Sequence, residues 1–512
     1  MSQNLGSNKR IAKNTILLYF RMLLTIVVGL YTSRVVLNTL GVSDYGIYNV
    51  VGGIVAMLAF LNSALTAASQ RFIAFELGWG NMCRLKKIFS TSVTIHATLA
   101  IIIFIIAETI GLWFVNTQLN IDADRMIAAN WVYQFSIFTF MLTVLSVPYN
   151  SCIVAHEHMN AFAYISILEV TLKLLIVYLL LVINSDKLIT YGILVFVVAL
   201  IVRLTYGMYC KRHFEECTYH FCFDKKLFNE MFSFAGWSVV GNLGFSFKDQ
   251  AANVILNLFF GTVVNAARGI ALQVNGIISG FSTNFMMALN PQITKQYAVG
   301  NIESSMKLVY AGCRYSFFLL TLITIPVMIN LDYLLKLWLG TVPEFTSEFL
   351  LWALIAALIN SMAMPLVTAL QATGKIKTFQ IVVCIIMLCE LPLAYMVLDL
   401  GCKPYMAMLP TVCVTLVGLF ARFIILKRLV PEYKIGYFTF TIVFKNIMLG
   451  TICFLLAYYI RNAFNSNFWT FVLTSVIACL IVAIVVYSCG MTPFERKKIN
   501  SNLYVILTKH QQ

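Results

Sequence analysis

The chain is a succession of apolar runs, most of them twenty residues or longer, parted by short polar breaks. A helix needs roughly 20 apolar residues to cross a bilayer. Away from water, such a run satisfies its backbone polar groups by folding as a helix or by closing into a barrel. Runs of this length, without the period-two alternation of a barrel strand, read as helices. Hydrophobic residues make up 60% of the 512 and charged residues 11%, against about 45–50% and about 25% in soluble domains. Since the breaks are short, the chain has no room for a separate soluble catalytic, nucleotide-binding or DNA-binding domain. The expected fold is all-α and polytopic, with about fourteen transmembrane helices.

The runs place spans at 15–37, 44–68, 88–116, 126–149, 160–183, 188–209, 228–259, 262–289, 305–330, 346–371, 376–397, 405–427, 438–460 and 467–489. Glycine, asparagine and serine interrupt the second and the eighth. The first run is longer than a signal-peptide core and no small-residue cleavage site follows it, so it is expected to remain as a span. With this alternation, 22 lysines and arginines fall on the side of the N-terminus and 6 on the other. The positive-inside rule then puts both termini of a multi-pass membrane protein in the cytoplasm. The net charge of +15 is assigned to these loops and to anionic membrane lipid, not to nucleic acid.

Two stretches repeat. Gly46-Ile47 and Gly53-Ile54 in the second span match Gly269-Ile270 and Gly276-Ile277 in the eighth. Pro148 to Ala155-His156-Glu157 matches Pro365 to Ala372-Thr373-Gly374, with equal Pro-to-Ala spacing. The common separation of about 220 residues argues for a duplicated six-span unit followed by two extra spans. The expected organisation is an N-lobe over 1–209, an inter-lobe loop over 210–227 and a C-lobe over 228–430. Spans 13 and 14 follow over 431–489, then a tail over 490–512.

Several segments carry a family resemblance: Lys13-Asn14-Thr15, Gly41-Val-Ser-Asp-Tyr-Gly-Ile-Tyr48, Ser69-Gln70-Arg71-Phe72 and Pro148…Ala155-His-Glu-His-Met159. Through them the chain resembles the lipid-linked oligosaccharide flippases of the multidrug/oligosaccharidyl-lipid/polysaccharide flippase superfamily. The resemblance implies two six-helix lobes around a central cavity, alternating access, and no enzymatic activity. It also implies an undecaprenyl-pyrophosphate-linked oligosaccharide as substrate, for O-antigen, capsule or another surface polysaccharide. Polysaccharide polymerase and chain-length proteins would be its partners.

Ionisable residues inside spans are functional candidates because burying a charge in hydrocarbon costs about 2.5–3.5 kcal/mol on insertion scales. Arg21, Arg34, Lys248 and Arg268 are the candidate cations for the pyrophosphate, guanidinium being suited by its planar fork of donors. Arg268, in Ala266-Ala267-Arg268-Gly269, also matches an arginine that helps hold pyrophosphate in related peptidoglycan-precursor flippases, so its role there is what the resemblance implies. Asp249, Glu169 and Glu390 are the candidate cavity acids, for coupling to protons or sodium without any cofactor. Lys248 and Asp249 are adjacent and diverge by about 100° on a helix, which favours separate roles. Glu169 and Lys173 are four apart with the acid first, the order of an intrahelical ion pair. Glu108, Arg203, Arg422 and Lys445 lie nearer span ends and read mostly as interfacial, Arg203 being the foremost exception.

Other signals carry less weight. Cys210, His213, Cys217, His220 and Cys222 could suggest zinc, but the paired spacing of structural zinc sites is missing, so no metal site is expected. His156-Glu157-His158 is not the zinc-protease pattern and reads as a gate or structural turn. The aromatics read mostly as belt and packing residues and not as a sugar platform, with Trp237 and Tyr133 the two that could stack on sugars. Spans 13 and 14 carry almost no mid-span charge, and either offer a groove for a polyprenyl tail or simply face lipid. Two rival functions remain: cation-coupled multidrug efflux, and a membrane enzyme of the same pathway such as a polymerase or ligase. The outer loop around Leu331–Glu344 is too short for the second.

Overall fold

The structure is a computed structural model. It describes residues 2–497 other than 57–58, 118–120, 184, 221–223, 261, 341, 466 and 494. Every described element is helical. In chain order these are α1 (Ser2–Ala56), α2 (Ala59–Trp79), α3 (Met82–Thr117), α4 (Met126–Ala155), α5 (Met159–Val182), α6 (Lys187–His213), α7 (Lys225–Phe260) and α8 (Thr262–Ala298). There follow α9 (Ile302–Ile329), a short α10 (Leu331–Leu339), α11 (Thr346–Ala372), α12 (Lys377–Asp399), α13 (Pro404–Leu429), α14 (Tyr437–Asn462) and α15 (Phe468–Gly490).

Among the described residues, 10 helices are long and apolar enough to cross a membrane by themselves. The remaining expected spans lie on α1, α2, α7 and α8. The third to fourteenth spans coincide with helices, differing mainly where helices run on past the apolar stretch: α8 continues nine residues beyond the expected 289, to Ala298. The first two spans are joined in one long helix broken at Gly41, whose φ of 81° only glycine adopts readily.

Contacts divide the chain into two compact units. The first comprises 1–246, 287–302 and 371–381; the second comprises 247–286, 303–370 and 382–512. In the first, Val115, Ala128, Val132, Tyr133, Ile137 and Leu188 form a core where α3, α4 and α6 meet. Arg125, just before α4, donates to both Asp44 of α1 and Asp186, the N-cap of α6. Asp44 of the Gly-Val-Ser-Asp motif is thus one half of a loop clamp.

In the second unit, α10 and α11 bury Leu335, Phe349, Leu350 and Leu354. Helices α14 and α15 dock on α9 through Ile325, Ile329, Cys453, Ala457, Ala478 and Val482. Polar ties reinforce that seam: Arg461 Nε donates to Asn330 Oδ1 at 2.7 Å and Asn330 Nδ2 donates to Thr474 Oγ1 at 3.2 Å. Leu455, Tyr459, Trp469, Leu480 and Ile484 of the same two helices remain exposed, as lipid-facing helices require.

Candidate functional site

The repeated Pro-to-Ala segments end in matching turns. Helix α4 stops at Ala155 and α11 at Ala372, and two residues later each chain reverses through the left-handed region, at Glu157 (φ 63°) and Gly374 (φ 76°). That conformation costs a non-glycine residue roughly 1–2 kcal/mol, so Glu157 needs tertiary contacts to hold it. It has them. Its carboxylate accepts from Gln292 Nε2 at 2.6 Å and from Lys295 Nζ at 2.8 Å, both on the last turns of α8. Its carbonyl accepts from Asn14 Nδ2 at 3.4 Å.

The second turn reverses the logic. Gly374 has no side chain, and Arg71 of α2 occupies the vacated space: a Cβ there would lie 2.7 Å from Arg71 Nη2. Arg71 donates to the carbonyls of Gln371 and Ala372 at 3.2 and 3.3 Å. Its guanidinium also lies over the rings of Phe72, Phe75 and Phe234. Burial pushes its pKa down to about 10, which leaves it charged at neutral pH. Together the two turns form a double clasp within the first unit, built from the Ser-Gln-Arg-Phe and Ala-His-Glu-His motifs.

Beside the clasp lies a cavity of about 350 Å³, lined by Arg71, Glu230, Phe234, Trp237, Lys375 and Lys377 among others. Lys377 Nζ lies 5.1 Å from the centre of the Trp237 ring. Three cations and an indole against one carboxylate suit an anion with an attached polar ring system. Trp237 lines this cavity with Lys377 over its ring. Tyr133, the other aromatic proposed to stack on sugars, is buried: it is 1% exposed and its hydroxyl donates to the Ala107 carbonyl at 2.8 Å.

A second polar cavity of about 280 Å³ lies inside the first unit. Asn62, Thr66, Thr139, Thr143, Ser146, Asn150 and Tyr206 line it with Glu169 and Lys173. The last two form the expected intrahelical pair, at 2.6 Å. Buried Asn62 Oδ1, Thr139 Oγ1 and Asn150 Oδ1 have no hydrogen-bond partner. Arg21 of α1 sits over the Phe162 ring at 4.7 Å and donates to Ser166 Oγ at 3.5 Å. Arg34 is also on α1, but its side chain lies outside the described residues.

In the second unit the candidate cations are held by acids. Lys248 Nζ lies 3.0 Å from Glu390 Oε2, whose other oxygen accepts from Thr411 at 2.8 Å. Arg268 Nη2 lies 2.7 Å from Asp249 Oδ1, and its Nη1 donates to Asn253. Adjacent Lys248 and Asp249 thus take different partners, as their helical divergence requires. Lys248 and Arg268, expected as cations for the pyrophosphate, are already paired, so an anion must compete with Glu390 and Asp249. The two acids differ in access, the Glu390 side chain being 4% exposed and that of Asp249 37%. Arg422, expected at a span end, is 5% exposed beside Gly418. Arg203 stacks on Tyr149 at 4.0 Å and Glu108 accepts from Gln134 at 3.0 Å.

These features define a polytopic helical membrane protein with an internal repeat and polar, charge-bearing spans. The MatE family model matches residues 238–396, and the fold is that of MATE transporters of the MOP superfamily. A crystal structure of a MATE mutant aligns with TM-score 0.72 and 13% identity, covering 83% of this chain and 97% of that one. The Vibrio cholerae MATE transporter VcmN aligns with TM-score 0.72 and 14% identity, over 85% and 99% of the two chains. A MOP-superfamily transporter from Pyrococcus furiosus, described as having a binding pocket of reverse polarity that suggests a different function, aligns with TM-score 0.68 and 15% identity over 83% and 96%. No curated protein matches the sequence.

Proposed function

We propose that the protein is an alternating-access transporter that moves an undecaprenyl-pyrophosphate-linked oligosaccharide from the inner to the outer leaflet of the bacterial inner membrane, with both termini cytoplasmic. The observation that carries this reading is the cavity beside the clasp, where Arg71, Lys375 and Lys377 surround Trp237. A diphosphate entering there meets guanidinium and ammonium donors, and a sugar ring meets the indole face. The polyprenyl chain stays in lipid and adds no charge to the barrier.

In the second unit, Arg268 is a further cation for the diphosphate. Its present partner, Asp249, is more exposed than Glu390, so a diphosphate oxygen can replace that carboxylate. Asp249, released, then takes up a proton or a sodium ion. This exchange couples cargo to cation through one arginine, and a ligand shifts the equilibrium only by such a differential contact. Glu390, tied to Lys248 and Thr411, holds helix packing.

The test is transfer of a lipid-linked pyrophosphoryl oligosaccharide between leaflets of proteoliposomes holding the purified protein. Arg268→Ala and Lys377→Ala should each slow transfer at equal reconstitution, and Arg268→Lys should recover part of it. Unchanged transfer in Arg268→Ala refutes the reading. A second reading is cation-coupled efflux of small molecules, favoured by the acid pairing of Lys248 and Arg268 and by the MATE fold. It predicts proton- or sodium-driven export of cationic dyes from the same vesicles.

A further inference from the structure

The linker between α6 and α7 is not an open loop. Helix α6 ends at His213, and Phe214, Glu216 and Cys217 turn back into the protein, 5%, 0% and 5% exposed. They meet Cys152 in the last turn of α4 and Cys210 in the last turn of α6, both fully buried. One ligand atom from each of Cys152, Glu216 and Cys217 lies within 4.8 Å of the other two. Cys210 stands next to this group at the end of α6, its Sγ reaching the Tyr149 carbonyl at 3.4 Å.

Glu216 is the anomaly. Its Oε1 lies 2.5 Å from His156 Nε2, an imidazole stacked on Phe214 at 4.1 Å. Its Oε2 is buried with no hydrogen-bond partner. Among the described residues its ion-pair partner is that histidine, since Lys86 faces Glu215 instead. A buried carboxylate oxygen with no donor lacks the partner its desolvation demands, and the thiols close to this carboxylate are weak donors.

We infer that Cys152, Cys210, Glu216 and Cys217 bind one zinc ion. Thiolates select a soft or borderline cation, and three thiolates with one carboxylate fill a closed tetrahedral site. Zn–S bonds of about 2.3 Å and Zn–O bonds of about 2.0–2.2 Å set neighbouring ligand atoms roughly 3.5 Å apart. Small side-chain rotations from the present spacing achieve this, with Cys210 turning from the Tyr149 carbonyl. Glu216 ligates through its bare Oε2, and His156 holds Oε1 as the outer partner that orients a ligating carboxylate. On binding, each thiol gives up its proton to solvent and no redox change occurs. The ion staples the α4–α5 turn, which carries Glu157 of the clasp, to the linker between α6 and α7. The sequence hid the site because its ligands arrive from two separate segments. His213 stacks on Tyr209 instead, and Cys222 lies outside the described residues.

The full-length protein, purified under reducing conditions without chelators, tests this directly by metal analysis after incubation with zinc and desalting. About one zinc per chain is expected, with a thiolate-to-metal absorption band when cobalt replaces it. Cys217→Ser and Glu216→Gln should lose the metal. Because either variant could misfold, the wild-type protein provides a second readout. Zinc should slow alkylation of the Cys152, Cys210 and Cys217 peptides about tenfold or more, reversibly with chelator, while exposed Cys83 reacts unchanged. Absence of bound zinc, unprotected thiols in its presence, or a disulfide among the three cysteines in the reduced preparation overturns the inference.

Discussion

The Glu157–Lys295 contact offers the sharpest perturbation of the clasp. The Glu157 side chain is 1% exposed and that of Lys295 22%. Removing one member of a buried pair costs about 3–5 kcal/mol, and the partial exposure of Lys295 reduces this to about 2 kcal/mol here. Glu157→Gln keeps shape and can still accept from Gln292, so the change isolates charge. At about 1.4 kcal/mol per tenfold, the opening equilibrium of this end should rise about 30-fold. Amide hydrogen exchange over 153–162 and 290–298 reads that opening directly. Lys295→Met alone should act similarly, and adding it to Glu157→Gln should cost much less than the sum, since no charge is left stranded. Exchange unchanged in Glu157→Gln, or additive effects in the double variant, would refute the clasp.

Two further perturbations separate backbone from charge. Gly374→Ala places a Cβ 2.7 Å from Arg71 Nη2 at a φ of 76°, so thermal unfolding in detergent should reveal a loss of about 1–2 kcal/mol; an unchanged midpoint would mean the turn relaxes freely. At the opposite clamp, burial works to raise the Asp186 pKa, but hydrogen bonds from Ile189 N–H, Arg125 and Leu188 N–H outweigh it and hold the group below its ordinary value. Its contribution is therefore complete above the unfolded pKa of about 3.9 and fades as pH falls through the lower folded value. Asp186→Asn, which still caps α6, should lose about 1 kcal/mol at neutral pH and flatten the acid limb of a stability-against-pH curve.

Fold class was legible because hydrocarbon solvent permits few options: a long apolar run without strand alternation is a helix wherever it lies. Spans three to fourteen needed no tertiary information, whereas the break of the first long helix at Gly41 came from the backbone geometry. The repeat was visible as Pro-to-Ala spacing, yet its meaning required geometry. Nothing in one dimension says that Glu157 and Gly374 share a left-handed turn, or that Arg71 fills the place of the missing side chain. Pairing was equally opaque. Glu169 and Lys173 were readable as an i, i+4 pair, whereas Lys248 with Glu390 joins positions distant in sequence, which no periodicity encodes.

The difference between the two turns bears on how such a protein can be driven. In one, the clasp is an acid and a lysine on opposite repeats; in the other, an arginine bonded to carbonyls. Replacing Glu157 by a neutral residue weakens the first but leaves the second intact, because Arg71 bonds backbone carbonyls there. An anion acts the other way, since it competes with carbonyl oxygens for Arg71 but repels Glu157. A change at Glu157 and an anion at Arg71 therefore act on different halves of the clasp, and the cavity of Lys375, Lys377 and Trp237 adjoins the Arg71 half.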